Sequence, residues 1–241
     1  MTVFMKRNYS NIISLGSNCF FKMYISYLKI NQETNYFDYI GSSMWAIVDL
    51  FKNNELDKVF NKKEDFENMS IMSKGDDKFI ITNRKYYLRF KHNFKQDYKN
   101  FTNTSLKGDE LFNNVKESYK RRSERLINQF SNFDSNSKPI LFLRYEEDND
   151  YRIIHDDYKD KNIKSELDYL IDFSNLLKKK YENLKFHILF FTTNQKENVF
   201  LKDENIILIN IKNKNLIKWD TCCKDFDKIF SDNDVFIKKC L

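Results

Sequence analysis

"NIISLGSNCF", Asn11 to Phe20, decides how the chain is read. Asn11 to Leu15 is a short apolar run of strand formers, closed by Gly16-Ser17-Asn18. Beyond the turn, Phe20, Phe21, Met23, Tyr24, Tyr27 and Leu28 recur at helical spacing. Ser17 or Asn18 suits the N-cap, because a short side-chain oxygen accepts an orphan backbone N–H. The stretch predicts strand, tight turn and helix, with Cys19 in the first helical turn. A thiol there is either a presented nucleophile or a small core residue.

Working outward, Phe37-Asp38-Tyr39-Ile40 reads as a short extended piece ending at Gly41, and Ser42 or Ser43 caps a helix to about Phe51. Lys78 to Thr82 and Tyr86 to Phe90 read as a hairpin around Asn83-Arg84-Lys85, with His92 just past its second strand. Leu111 to Phe130 carries a sparse apolar stripe at helical spacing. "ILFLRYEE" after Pro139, "FHILFFTT" and "NIILINI" are continuous apolar runs, as expected of strands buried on both faces. A helix over Ile163 to Tyr181 separates the first two, and its Lys178-Lys179-Lys180 tail suits the negative helix end. Cys222 to Phe230 predicts a last short helix. The order implies an α/β fold: a mostly parallel central sheet flanked by helices, with a β-hairpin insertion, in a single domain over residues 1–241.

The 241 residues are enough for a substantial core, and an aromatic content of 16% excludes a disordered chain. Asn, Lys, Ile, Phe and Tyr are heavily used, which matches A/T-rich codons and weakens any reading of the +6 net charge. Basic and acidic residues are interspersed, so no nucleic-acid partner is expected. Lys120-Arg121-Arg122 with Arg125 is the clearest basic cluster, and it reads as a solvated helix face. No apolar stretch approaches the roughly 20 residues that span a bilayer, so no membrane role is expected. Cys19, Cys222, Cys223 and Cys240 show no disulfide framework spacing, and no secretory segment opens the chain. That pattern points to a reducing, cytoplasmic setting. Neither a metal nor another cofactor is expected, since His92, His155 and His187 are scattered away from any cysteine pair at ligand spacing. No feature sets an oligomeric state.

Ligands of open parallel sheets bind outside the carboxyl ends of the strands. Gly16, Ser17, Asn18 and Cys19 belong there, as do Arg144 with Glu146 and Glu147, and Thr192-Thr193. Exposed N–H groups of a first helical turn stabilise a thiolate and can donate to an oxyanion. A cysteine hydrolase also needs a base and a group that orients it. His92, beyond a strand end, is the base candidate, and Asp38, a lone acid between aromatics, is the orienter. His155 is the reserve base, and His187, inside an apolar strand, reads as core. Gly16, Ser17, Asn18 and Arg144 are the substrate-binding candidates, the arginine for an anionic group or simply as partner to Glu146 or Glu147. On local pattern alone, a packed structural Cys19 is the commoner outcome. The Cys222-Cys223 pair lacks Cys-x-x-Cys redox spacing.

"ISLGSNC", "YFDYI", "RFKHNF" and "SYKRRSERL" before "ILFLRYEE" together resemble a family of papain-like cysteine peptidases from bacteria and large DNA viruses. The resemblance runs from about Asn11 to Thr193. It implies a cysteine hydrolase acting on a peptide or small-molecule acyl substrate, with Cys19 as nucleophile and His92 as base. Asp38 falls on the family's aromatic-Asp-aromatic motif, although Tyr36 stands where a proline is common. The A/T-rich composition suits a viral member, which would place the chain in the host cytoplasm. The resemblance also offers a papain-like α+β topology as the alternative fold. "SLGS" is similar to the Gly-Asp-Ser turn of small esterases, but lacks its acid. The competing function is a non-catalytic α/β binding protein for an anion, nucleotide or glycan, or a viral protein that binds a host partner.

Overall fold

The computed structural model describes residues 9–17, 19–29, 33–73, 76–90, 92–94, 106–146, 164–192, 203–211 and 222–232. Asn18, Glu147, His155, Thr193 and Cys240 lie outside the described residues.

The four apolar runs form one parallel sheet. β1 (Asn11–Ser14), β6 (Ile140–Tyr145), β7 (Phe186–Thr192) and β8 (Ile206–Asn210) stand in the order β1-β6-β7-β8. Asn11 pairs with Ile140, Ile140 with Phe186, and Ile188 with Ile206. Every residue of β6 and β7 is buried, which is why these segments read as largely apolar runs. One face presents Ile12, Leu141, Leu143, Leu189, Phe191 and Ile209 to α1 (Phe20–Tyr27) and α5 (Cys222–Asp232). There Phe21 stacks on Phe226 at 4.8 Å, and the Tyr24 hydroxyl donates to Asp227 at 2.8 Å. The opposite face presents Ile13, Ile140, Phe142, Ile188, Phe190 and Ile206 to α2 (Met44–Lys52), α3 (Leu106–Ser131) and α4 (Glu166–Lys180). Parallel pairing with helices on both faces makes the fold α/β, and the papain-like α+β alternative does not form.

The expected hairpin is part of a larger antiparallel sheet. β4 (Asp76–Asn83) and β5 (Leu88–Phe90) pair as predicted, but β3 (Phe66–Ser73) and β2 (Ile40–Gly41) complete the order β2-β5-β4-β3. β3 escaped the sequence reading because "FENMSIMS" has no clean period-2 alternation; its long ladder to β4 supplies what its own pattern lacks. Phe60 anchors this region, its ring 4.8 Å from Tyr119, 5.0 Å from Phe66 and 5.2 Å from Phe90. The cluster is continuous with the core on the α2–α4 face of the parallel sheet.

One local reading changes. Asn35 to Ile40 is not extended: Asp38 N–H donates to Asn35 O and Ile40 N–H to Phe37 O, giving two overlapping turns before the short β2. α2 is capped by Ser43, whose hydroxyl accepts from Ala46 N–H, and α4 opens on a Ser165–Asp168 capping box.

Candidate active site

β1 ends in a bend that few sequences could adopt. Leu15 continues the ladder by donating to Leu143 O, and then Gly16 and Ser17 take φ of +75° and +69°. Two successive left-handed residues turn the chain sharply outward from the sheet edge. Gly16 N–H donates to Ser14 Oγ at 3.2 Å, and Ser42 Oγ donates to Leu15 O at 3.4 Å. A Cβ on Gly16 would lie 2.2 Å from Ser42 Oγ and 3.2 Å from Ile40 O, so the bend demands glycine for space as well as for φ. Gly16→Ala should therefore lower stability by about 2–4 kcal/mol, from left-handed strain plus overpacking. Urea unfolding measures this, and adding Ser42→Ala should recover only the overpacking part.

The bend delivers Cys19 as the N-cap of α1, in place of Ser17 or Asn18. Its φ of −85° and ψ of −4° are near-helical, and its carbonyl accepts from Met23 N–H at 3.0 Å. Its side chain makes no capping bond, and no acidic residue stands in the first turn of α1. Cys19 is only 3% exposed. One turn on along the same stripe is Lys22, also buried. Its ammonium sits 3.1 Å from Asp38 Oδ2 and donates to Glu33 O at 2.8 Å. Asp38 Oδ2 accepts from Asn35 N–H at 2.7 Å as well. Burial pushes the Asp38 carboxyl up from its ordinary range, with Lys22 and the Asn35 N–H opposing. Among the described residues, Asp38 is thus bound to α1 through Lys22 and makes no hydrogen bond to an imidazole.

Tyr39 follows with φ of +63°, and its ring meets the His92 ring at 5.3 Å and 58°. Burial raises the Tyr39 hydroxyl above its ordinary range, with the neighbouring Asp38 adding to this and Ser26 on α1 opposing it. His92 lies two residues past β5, which pairs with β2 directly after the Asp38-Tyr39 turn. Next to it, Asn93 Oδ1 accepts from the Tyr119 hydroxyl at 3.2 Å, and Arg122 of α3 covers the Tyr119 ring at 4.7 Å. The basic cluster is therefore divided. Lys120 and Arg121 are exposed, whereas Arg122 and Arg125 are half-buried and turn towards this loop. Arg125 donates to Thr34 O and pairs with Glu33. The expectation of a uniformly solvated basic face does not hold.

Arg144 is 1% exposed and fully engaged by the protein. It donates from Nη1 to Leu15 O and from Nη2 to Ser42 O, both at 2.8 Å, and from Nε to Glu166 Oε2 at 2.9 Å. Among the described residues its carboxylate partner is Glu166 rather than Glu146, which accepts instead from the Thr192 hydroxyl. Arg144 thus forms the floor under the Gly16 bend, with no face open to an anionic substrate. His187 is buried near the opening end of β7, edge-on to Tyr9 at 5.7 Å and paired in register with Leu141, at the end of the sheet away from Cys19.

A sequence family described as "Putative papain-like cysteine peptidase" matches residues 10–196. The chain belongs to this family. No curated protein and no solved structure matches the chain. The peptidase family's matched span contains Cys19, Asp38, His92 and Arg144, and it ends before β8 and α5. Among the described residues no helix is long and apolar enough to cross a membrane, and no cluster of His, Cys, Asp and Glu could hold a metal ion. A groove of about 930 Å³ between α3 and the end of α4 contains none of the candidate residues. Lys22, Tyr39, Arg122 and Glu166 were missed as parts of the site. For Lys22 a signal existed, since it sits three residues after Cys19 on the same helix face. For the others none did, because their partners are distant in sequence.

Proposed function

We propose that the chain is a cysteine-dependent hydrolase of amide, peptide or ester carbonyls. Cys19 Sγ bonds to the carbonyl carbon while its proton passes to His92, and the carbonyl π electrons move onto oxygen. First-turn N–H groups of α1 hold that oxyanion. The tetrahedral centre then collapses, the C–N or C–O bond breaks, and the imidazolium gives its proton to the leaving group. Water, deprotonated by the same imidazole, hydrolyses the thioester and returns Cys19 as a thiol. Asp38 enters this reading through Lys22, fixing the turn that faces His92 against the helix that carries Cys19.

The observation that carries the reading is that Cys19 caps a helix leaving a doubly left-handed bend, while the Asp38-Tyr39 turn, tied to that helix by Lys22, packs its Tyr39 ring on the His92 imidazole. The family membership supports a peptidase. The test is acyl-enzyme trapping with chromogenic peptide amides and acyl esters. Intact mass should show an acyl adduct on Cys19, lost in Cys19→Ala, with turnover reduced about 10²–10⁴-fold in His92→Ala. Turnover that survives Cys19→Ala contradicts the reading. The second reading, a packed Cys19 beside an anion-binding Gly16 turn, is favoured by its 3% exposure and predicts no adduct.

A further inference from the structure

We propose that Tyr39 is the positioning residue of this site: its ring, held outward on a left-handed backbone, orients the His92 imidazole towards the helix face that carries Cys19. The inference rests on the hydrolase reading above and assigns a role within it. Tyr39 occupies the third position of the Phe37–Ile40 turn with φ of +63°. Glycine or asparagine takes that position without strain, and a bulky aromatic does not. Such strain persists only where the surroundings over-determine it, and it concentrates at functional sites.

The core does not require this ring. Phe37, Asp38 and Ile40 are all fully buried and fix the turn, whereas Tyr39 is only half-buried. Its contacts run to the site instead. The ring meets His92, and the adjoining Asp38 is held to α1 by Lys22. Lys22 lies one helical turn from Cys19 on the same stripe of α1. The turn that carries Tyr39 is therefore tied to the helix stripe that starts at Cys19, and its ring packs on the imidazole. The charged and titratable groups around this pair are Cys19 and Lys22 from α1, Asp38 from the turn, and Tyr119 and Arg122 from α3.

The test compares Tyr39→Asn with Tyr39→Phe by three measurements: the urea unfolding midpoint, the ring-current shift of the His92 Cε1–H resonance, and the rate of Cys19 alkylation by iodoacetamide. Tyr39→Asn relieves the strain and deletes the ring. Its midpoint should stay level or rise, while the ring-current shift disappears and alkylation slows on the order of tenfold to a hundredfold. Tyr39→Phe should restore the ring-current shift and recover most of the rate. A merely structural tyrosine would instead lower the midpoint in Tyr39→Asn, and that result overturns the proposal. So does equal slowing in both variants, or a reactive Cys19 whose rate ignores Tyr39→Asn. A Cys19 that is inert in the parent protein overturns the hydrolase reading itself, and this inference with it.

Discussion

Arg144→Met should destabilise the protein by about 3–5 kcal/mol, the usual cost of removing one partner from a buried ion pair. The guanidinium joins the end of β1 through Leu15 O, the β2–α2 turn through Ser42 O, and α4 through Glu166. Glu166 in turn accepts from Met44 N–H, so the same pair steadies the start of α2. Methionine roughly keeps the length but takes the guanidinium from Ser42 O, from Leu15 O, which keeps only the Ser42 hydroxyl, and from the Glu166 carboxylate, which keeps only the Met44 N–H. Glu166 is 19% exposed and regains some water, so the two buried carbonyls carry much of the cost. Stability totals of about 5–15 kcal/mol leave little margin for this loss. Urea unfolding measures it, and Arg144→Lys should fall between the two because an ammonium cannot reproduce the planar fork. A midpoint unchanged in Arg144→Met would contradict the structural role.

Lys22→Met should cost a similar amount, about 3–5 kcal/mol at neutral pH, because it leaves the Asp38 carboxylate buried without its cation. The loss depends on pH. In the parent protein the folded Asp38 pKa already lies above its unfolded value, chiefly through burial. The folded state therefore holds the proton more tightly, and this group's contribution is fully present below the unfolded pKa. It is lost as pH rises through the folded pKa. Removing Lys22 raises the folded pKa further, so the deficit of Lys22→Met should shrink in acid and grow towards neutrality. Asp38→Asn should flatten this dependence, and Lys22→Met/Asp38→Leu should regain much of the loss. Unfolding midpoints from acid to neutral pH decide it; a deficit that does not vary with pH would contradict the pairing.

The parallel sheet was legible because its signal is local. Strands buried on both faces are apolar at nearly every position, as Ile140 to Tyr145 and Phe186 to Thr192 are apart from Arg144, His187 and Thr192. Gly16 before a helix start was equally legible, since a left-handed bend has few candidates in a chain with four glycines. What could not be read depends on partners far apart in sequence. Arg144 looked available for an anion until Leu15 O, Ser42 O and Glu166 closed around it. Asp38 needed a partner, as its burial implied, but that partner was Lys22. The Tyr39 left-handed backbone carries no sequence mark, because tyrosine is not a residue that ordinarily signals positive φ. The division of Lys120 to Arg125 between solvent and the loop depends on where α3 packs, which periodicity alone leaves undefined.

The most direct measurement is the rate at which iodoacetamide modifies Cys19 in the native protein at about pH 6, read by peptide mass spectrometry, where a thiol of ordinary pKa near 8.5 is almost wholly protonated. Cys222 is the internal reference, since burial and Cys223 push its thiol up to about 11. The account predicts that Cys19 reacts far faster than both Cys222 and free cysteine, and that His92→Ala slows it. A Cys19 that stays unmodified until the protein is unfolded would contradict it.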